Sequence, residues 1–438
     1  MPATLRASWQ SLVRADPAAA ALYDAATERR WNRAELAALG IAWAAAHGAE
    51  AAGQRVVFAE PNGPDWFRVF LGLLACDGVA VALDAGEPLA AQRATAQSIG
   101  ASFLWQGGRL EKLPGRRRSR DRGPRLLKLT SGTTGAPRAL PFTDARLLAD
   151  GRQVCAAMDI RPRDVNLGCI PLGHSYGLGN LVLPLLAQGT AIVTGVPLLP
   201  QALAAAIAQW RPTVFPAVPA LLRALAAADV SPGQLRSLRT VISAGSPLAP
   251  DMARAFHAKF NRKIHSFYGS SETGGITYDR TGDATLMGAS VGRPIKGVRL
   301  RFGAGGRFWV ESKAVGGSGR FRPADRGKLN RRGELVLLGR AGRMVKIGGR
   351  RLDLAEVERS LRQMPTVRDA FVEPHRERAD TLVAAVATRH ATAELRAWLQ
   401  ERIAGWKIPR KFVALPEFPV TVRGKIDTRR LRALLHGA

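Results

Sequence analysis

At 438 residues the chain exceeds what one hydrophobic core organises, so two or more domains are expected. A 46% hydrophobic fraction with mean hydropathy near zero describes a globular chain, and the apolar stretch Leu181–Ala187, broken by Pro184, is too short to span a bilayer. Cys76, Cys155 and Cys169 lack paired spacing, which excludes a disulfide frame or zinc site. With no apolar export segment in Met1–Ala21, a cytoplasmic location is expected. The net charge of +29 would draw anionic partners. Its arginines are spread through an Ala-rich background, however, and only Arg116–Arg122 forms a dense run. The charge therefore reads as solvated surface, and no nucleic-acid interface is expected.

From Trp31 to Trp105 helical and strand periods alternate. Ala34–Ala46 and Asp65–Cys76 read as helices, Arg55–Ala59 and Val79–Leu83 as short buried strands. Pro114–Pro124 is a basic linker without periodicity. A second series follows, with helices at Ala145–Met158, Ala202–Trp210, Ala220–Ala227 and Asp251–Phe260. Its strands are Val165–Ile170, Thr190–Thr194, Thr213–Pro216 and Thr240–Ser243. Such alternation predicts parallel α/β sheets. After Gly288 the texture becomes β-rich, at Val298–Phe302, Gly306–Glu311 and Glu334–Leu338. A compact α+β tail begins near Gly342, with helices Leu354–Arg362 and Ala393–Ala404 and strands Ala370–Glu373 and Thr381–Ala387. The fold class is thus α/β, with a large domain of α/β subdomains plus a β-rich subdomain over 1–340 and a small domain over 341–438.

Four islands carry chemistry. The first, Thr130-Ser131-Gly132-Thr133-Thr134-Gly135, sets four hydroxyls and two glycines in six residues behind the apolar approach Leu126–Leu129, and Arg138 follows. Concave runs of backbone N–H groups bind anions, and glycines let them form. It is not a Walker A loop, whose glycine and lysine spacing does not fit here. The second is Phe267-Tyr268-Gly269-Ser270-Ser271-Glu272-Thr273-Gly274-Gly275. The third runs from Phe321-Arg322-Pro323-Ala324-Asp325 to Gly339-Arg340, Gly342, Gly348-Gly349 and Arg351; the fourth is Pro419-Val420-Thr421-Val422-Arg423-Gly424-Lys425-Ile426-Asp427. Singly, each is a polar turn or a surface charge; together, in this order, they form a pattern.

That order resembles the adenylate-forming superfamily of acyl- and aryl-CoA ligases, luciferases and peptide-synthetase adenylation domains, from about Trp31 to Leu435. The resemblance implies ATP, Mg²⁺ and a thiol acceptor, coenzyme A or the phosphopantetheine of a carrier protein. It implies that Thr130–Gly135 grips the β- and γ-phosphates, with Arg138 where lysine is usual, and that Gly245 and Ser270 line the nucleotide site. Tyr268 would stack on adenine, with Gly269 allowing close approach. Glu272 would bind the metal and Thr273 the α-phosphate. Asp325 would take the ribose hydroxyls, although Pro323-Ala324 replaces the usual Thr-Gly, and Arg340 would support ribose or phosphate. Lys425 would be the adenylation lysine, carried on a small mobile lid that turns about Gly342, and Gly348 and Gly349 would line the thiol tunnel. His174, in Pro171-Leu172-Gly173-His174-Ser175-Tyr176, would orient the carboxylate or gate the acyl pocket.

The substrate expected is a fatty or aromatic acid. An α-ammonium in a buried pocket needs a carboxylate partner, and Cys169–Asn180 contains none. An acidic acyl carrier protein is a second candidate partner for the basic surface. The reading from another class is a basic nucleic-acid or acidic-protein binding module on a retired scaffold, against which the intact Thr130–Gly135, Glu272, Asp325 and Lys425 argue.

Overall fold

The computed structural model describes residues 4–114, 123–130, 138–340, 343–347, 350–378, 381–403, 405–421 and 426–437. The expected positions Ser131, Gly132, Thr133, Thr134, Gly135, Gly342, Gly348, Gly349 and Lys425, and the basic run Arg116–Arg122, lie outside these residues. The chain divides into two compact units. One comprises 1–301, 309–322 and 329–336, the other 302–308, 323–328 and 337–438.

The larger unit is built on two sheets. In one, the parallel strands Phe103–Gln106, Arg55–Phe58, Val79–Ala82 and Leu126–Thr130 lie side by side, with antiparallel Arg109–Lys112 and Arg138–Phe142 at the edges. In the other, parallel strands run in the order Ala20–Asp24, Ala191–Thr194, Val165–Leu167, Val214–Ala217, Thr240–Ser243 and Ile264–Ser270. The antiparallel hairpin strand Gly274–Tyr278 then extends it. Val214–Ala217 and Thr240–Ser243 are buried at every position, as parallel strands covered on both faces must be.

Helix starts differ from the sequence reading in a consistent way. The helices expected from Asp65, Ala202, Ala220 and Asp251 begin at Pro64, Pro200, Pro219 and Pro250. Proline has no N–H to lose in the first turn and its φ is already helical, so it belongs inside the helix start. The Leu181–Ala187 stretch is likewise helical. Ser175–Gly177 passes through a π-helical turn, Leu178–Val182, into Leu183–Gln188, whose first turn accepts Pro184. Helix Leu5–Ala15 and strand Ala20–Asp24 lie ahead of Trp31, where the alternating pattern begins. Among the described residues no helix is long and apolar enough to cross a membrane.

Helices Arg33–Ala51 and Pro64–Ala75 meet through small residues. A Cβ on Gly40 would lie 2.5 Å from that of Leu71, and one on Gly72 would enter the Trp43 ring. In the smaller unit, strand Leu382–Ala387 lies between Asp369–Pro374 and Lys411–Leu415. Its side chains alternate between two cores. Leu382, Ala384 and Val386 face Val357, Leu361 and Leu395, while Val383 and Ala385 face Leu431 and Leu435.

Two outcomes follow from this packing. Gly72→Ala should lower the melting temperature, because overpacking costs about 1–3 kcal/mol; Gly233→Ala, whose nearest neighbour is 3.7 Å away, should not. Differential scanning fluorimetry checks both. His265, with Nδ1 2.9 Å from the Asp279 carbonyl and its ring stacked on Tyr278, has its pKa lowered, first by burial. The neutral ring is thus favoured in the fold. Its contribution is full above about pH 6.5, where the unfolded residue is also neutral, and is lost as pH falls through the depressed folded value. The melting temperature should fall from pH 7 to pH 5.5 by less in His265→Phe than in the wild type.

Candidate active site

Parallel strands leave their carboxyl ends as the place where chain turns outward with free polar groups, and ligands bind there in open α/β sheets. Three of four adjacent strands of the second sheet lead to expected site residues, His174, Gly245 and Tyr268. After Val165–Leu167 the chain runs through Cys169 to His174, after Val214–Ala217 to Val218, after Thr240–Ser243 to Ala244-Gly245, and Ile264–Ser270 itself carries Tyr268. Gly245 has φ +89° with no atom nearer than 3.8 Å to an added Cβ, so its backbone conformation requires glycine.

The His174 segment is tied on several sides. Asn62 donates from Nδ2 to the carbonyls of Gly168 (2.9 Å) and Ile170 (2.8 Å), and its Oδ1 accepts from Leu172 N–H (2.9 Å). A Cβ on Gly173 would lie 2.7 Å from that of Ala82, so this loop packs on the first sheet. His174 caps the helix that follows, accepting from Tyr176 N–H. Ser175 Oγ donates to Ser271 Oγ at 2.9 Å and Tyr176 Oη to the Ala217 carbonyl at 3.3 Å. His174 and the Glu272 turn are thereby brought together.

In the second island Tyr268 is half-buried, opposite Thr277, with a bulge before Gly269. Gly269 is required by the hairpin itself, since its Cβ would lie 2.6 Å from the Gly274 carbonyl oxygen. Thr273 is fully buried; its hydroxyl donates to the Gly274 carbonyl (3.1 Å) and lies 3.1 Å from Ser270 Oγ, so in this structure it braces the turn. Glu272 is half-buried on the turn. Among the described residues no group of three or more His, Cys, Asp or Glu forms a metal cage. One half-buried carboxylate fits Mg²⁺, which keeps waters and takes its other oxygens from substrate phosphates.

Thr130 ends its strand half-buried, its hydroxyl 3.5 Å from the carbonyl of Arg138, which is exposed at the start of the neighbouring strand. In the smaller unit, Asp325 is half-buried at the start of strand Asp325–Leu329. That strand pairs with Leu335–Arg340, which ends at Arg340. Sequence reasoning missed Asn62 and the Ser175–Ser271 bond. Neither carries a motif signal, because each acts on backbone or a hydroxyl far away in sequence.

The family described as AMP-binding enzyme matches residues 118–302, and its C-terminal domain family matches 356–425. Over 337 residues the chain is 32% identical to a p-hydroxybenzoic acid–AMP ligase of Mycobacterium tuberculosis, covering 69% of this chain and 48% of that protein. It is 30% identical to an indoleacetate–CoA ligase of Aromatoleum aromaticum, covering 71% and 67%. The chain spans about half the length of the first of these and 4% of the peptide synthetases it also matches. The ATP-bound structure of MatB from Rhodopseudomonas palustris superposes with a TM-score of 0.84 at 21% identity, covering 99% of each chain. With the site islands, the sheet order and these matches in hand, the chain belongs to the AMP-binding, adenylate-forming enzymes.

Proposed function

We propose that this protein activates a fatty or aromatic carboxylic acid with ATP. A carboxylate oxygen attacks the α-phosphorus, the bond to the bridging oxygen of the β-phosphate breaks, and an acyl-adenylate and pyrophosphate result. The acyl group then passes to a thiol, whose sulfur attacks the acyl carbon as AMP leaves. Coenzyme A is the first candidate acceptor and the phosphopantetheine of an acidic carrier protein the second, as the AMP-ligase relative suggests. The observation that carries the reading is the gathering of His174, Gly245, Tyr268 and the Glu272 turn at adjacent strand ends.

In this mechanism the chain positions and neutralises, because phosphoryl-type transfer asks for alignment and charge more than for a nucleophilic side chain. Tyr268 supplies a flat face for adenine, and Thr130 and Arg138 flank the entry to the phosphate loop. Glu272 would hold Mg²⁺, which when bound would offset the charge developing on the phosphates. His174 orients the carboxylate, with its own loop fixed by Asn62. Asp325 accepts from both ribose hydroxyls, with Arg340 beside it in the sequence pattern. Lys425, on a lid over residues 341–438 that turns about Gly342, bridges the attacking carboxylate and the α-phosphate as a compact cation. Gly348 and Gly349 line the path of the incoming thiol.

Asp150, which packs against Gly179 in the helix begun by His174, accepts from Gly275 N–H and faces Lys128. Both its oxygens are therefore engaged, and it offers no partner to a substrate ammonium. Burying an unpaired ammonium costs several kcal/mol and about 1.4 kcal/mol is tenfold in rate. Benzoic, cinnamic or fatty acids should therefore release pyrophosphate at least about a hundredfold faster than free amino acids. A proteinogenic amino acid as the best substrate in a pyrophosphate-release panel would overturn the substrate class.

Lys425→Ala should abolish adenylate formation yet leave thioester formation from supplied acyl-adenylate largely intact. Single-turnover assays of the two half-reactions check this, and equal loss of both would contradict the lid assignment.

A further inference from the structure

The mechanism leaves unused a buried ion pair that joins the strand of the first island to the helix Asp144–Met158. Lys128, on the strand ending at Thr130, and Asp150, on helix Asp144–Met158, are 3% and 2% exposed, with Nζ 3.9 Å from Oδ2. Lys128 Nζ has no hydrogen-bond partner among the described residues. It lies 4.1 Å from the centroid of the Phe142 ring, which Arg146 also covers at 3.9 Å. Asp150 Oδ1 accepts from Gly275 N–H at 3.0 Å. A Cβ on Gly274, at φ +70°, would run into the same carboxylate, and one on Gly179 would lie 3.6 Å from Oδ2. One side chain thus touches the strand of the first island, the turn of the second and the helix begun by His174.

Stability is a poor reason for this arrangement. Burying two charges costs several kcal/mol per ion, and an apolar pair of similar volume is often as stable. What the ionic pair adds is a fixed register between distant segments and a fixed charge. Burial pushes the Lys128 ammonium down and the Asp150 carboxyl up, and each partner's charge opposes the other's shift. Each charge is thus supported by the other. Lys128 also feels the negative charge of Glu272, so the pair lies within electrostatic reach of the proposed metal ligand.

We propose that Lys128 and Asp150 are positioning residues for Mg·ATP, holding the Glu272–Gly275 turn in register with the strand that ends at Thr130. The inference rests on the role given to Glu272 above. Neither residue touches substrate; both act through the turn, and through it on where Glu272 stands.

The test uses the full chain as wild type, Lys128→Met, Asp150→Asn and the double variant. Three measurements are made on each: melting temperature, calorimetric affinity for Mg·ATP without acid, and KM for Mg·ATP and for the acid in pyrophosphate exchange. Each single variant should weaken Mg·ATP binding about tenfold or more, a usual size for coupling through a packed network, with the acid KM within about twofold. The double variant leaves no lone buried charge, so it should regain most of the lost melting temperature while Mg·ATP binding stays weak. Recovery of Mg·ATP affinity together with melting temperature would show a merely structural pair and overturn the proposal. Should the single variants fail to fold, the double variant decides alone, and wild-type affinity in it overturns the proposal. A wild type that binds Mg·ATP but activates no acid defeats the functional reading only, because the calorimetric comparison still reads the pair.

Discussion

The constraint on which the larger unit depends is that its parallel strands are covered on both faces. Once Val214–Ala217 and Thr240–Ser243 are fully buried, they have no polar face to offer, and backbone groups become free only where strands end. The His174 loop, the Gly245 turn and the Tyr268 hairpin all stand at such ends. Chemistry is confined there by packing before any particular residue is chosen. The glycines of these islands answer to the same constraint, since Gly173 and Gly269 have neighbours that a Cβ would crowd.

Fold class was legible because buried strands and amphipathic helices alternate in the sequence, and because the β-rich region and the tail change that texture. The helix at Leu183–Gln188 was not, because Pro184 reads as a breaker unless one knows that a π-helical turn precedes it and leaves proline in a first turn. Residue types near Glu272 were legible as a motif, yet two of them do more for the hairpin than the motif suggests. Thr273 spends its hydroxyl inside the turn, and Gly269 makes room for the Gly274 carbonyl. Asn62 and Asp150 were illegible in principle. Their backbone partners lie 106 to 125 positions away, and no local pattern announces a pairing of that range.

The smaller unit follows a different rule, with one strand serving two cores. Leu382–Ala387 is apolar at every position, which by periodicity alone does not separate a strand from a buried helix. Its length and the β-branched Val383 and Val386 decide for the strand. Alternate side chains then reach helix Leu354–Arg362 on one face and helix Thr428–His436 on the other. Helix Thr428–His436 begins at Asp427, which caps it through Arg430 N–H, directly after the segment that carries Lys425. Leu431 and Leu435 pack this helix against Val383 and Ala385 of the strand.

An enzyme that makes an acyl-adenylate and hands it to a thiol must also protect the adenylate from its own thiols. Cys169 lies on the very segment that leads to His174, and Cys155 is on the helix that bears Asp150. The thiolate is the nucleophile, so what matters is how far ionisation is suppressed. Burial raises Cys155 to about 12 and Cys169 further still, and raises Cys76 as well. Each shift disfavours the nucleophilic thiolate. In the proposed reaction, the sulfur that attacks the acyl carbon must therefore arrive with the acceptor.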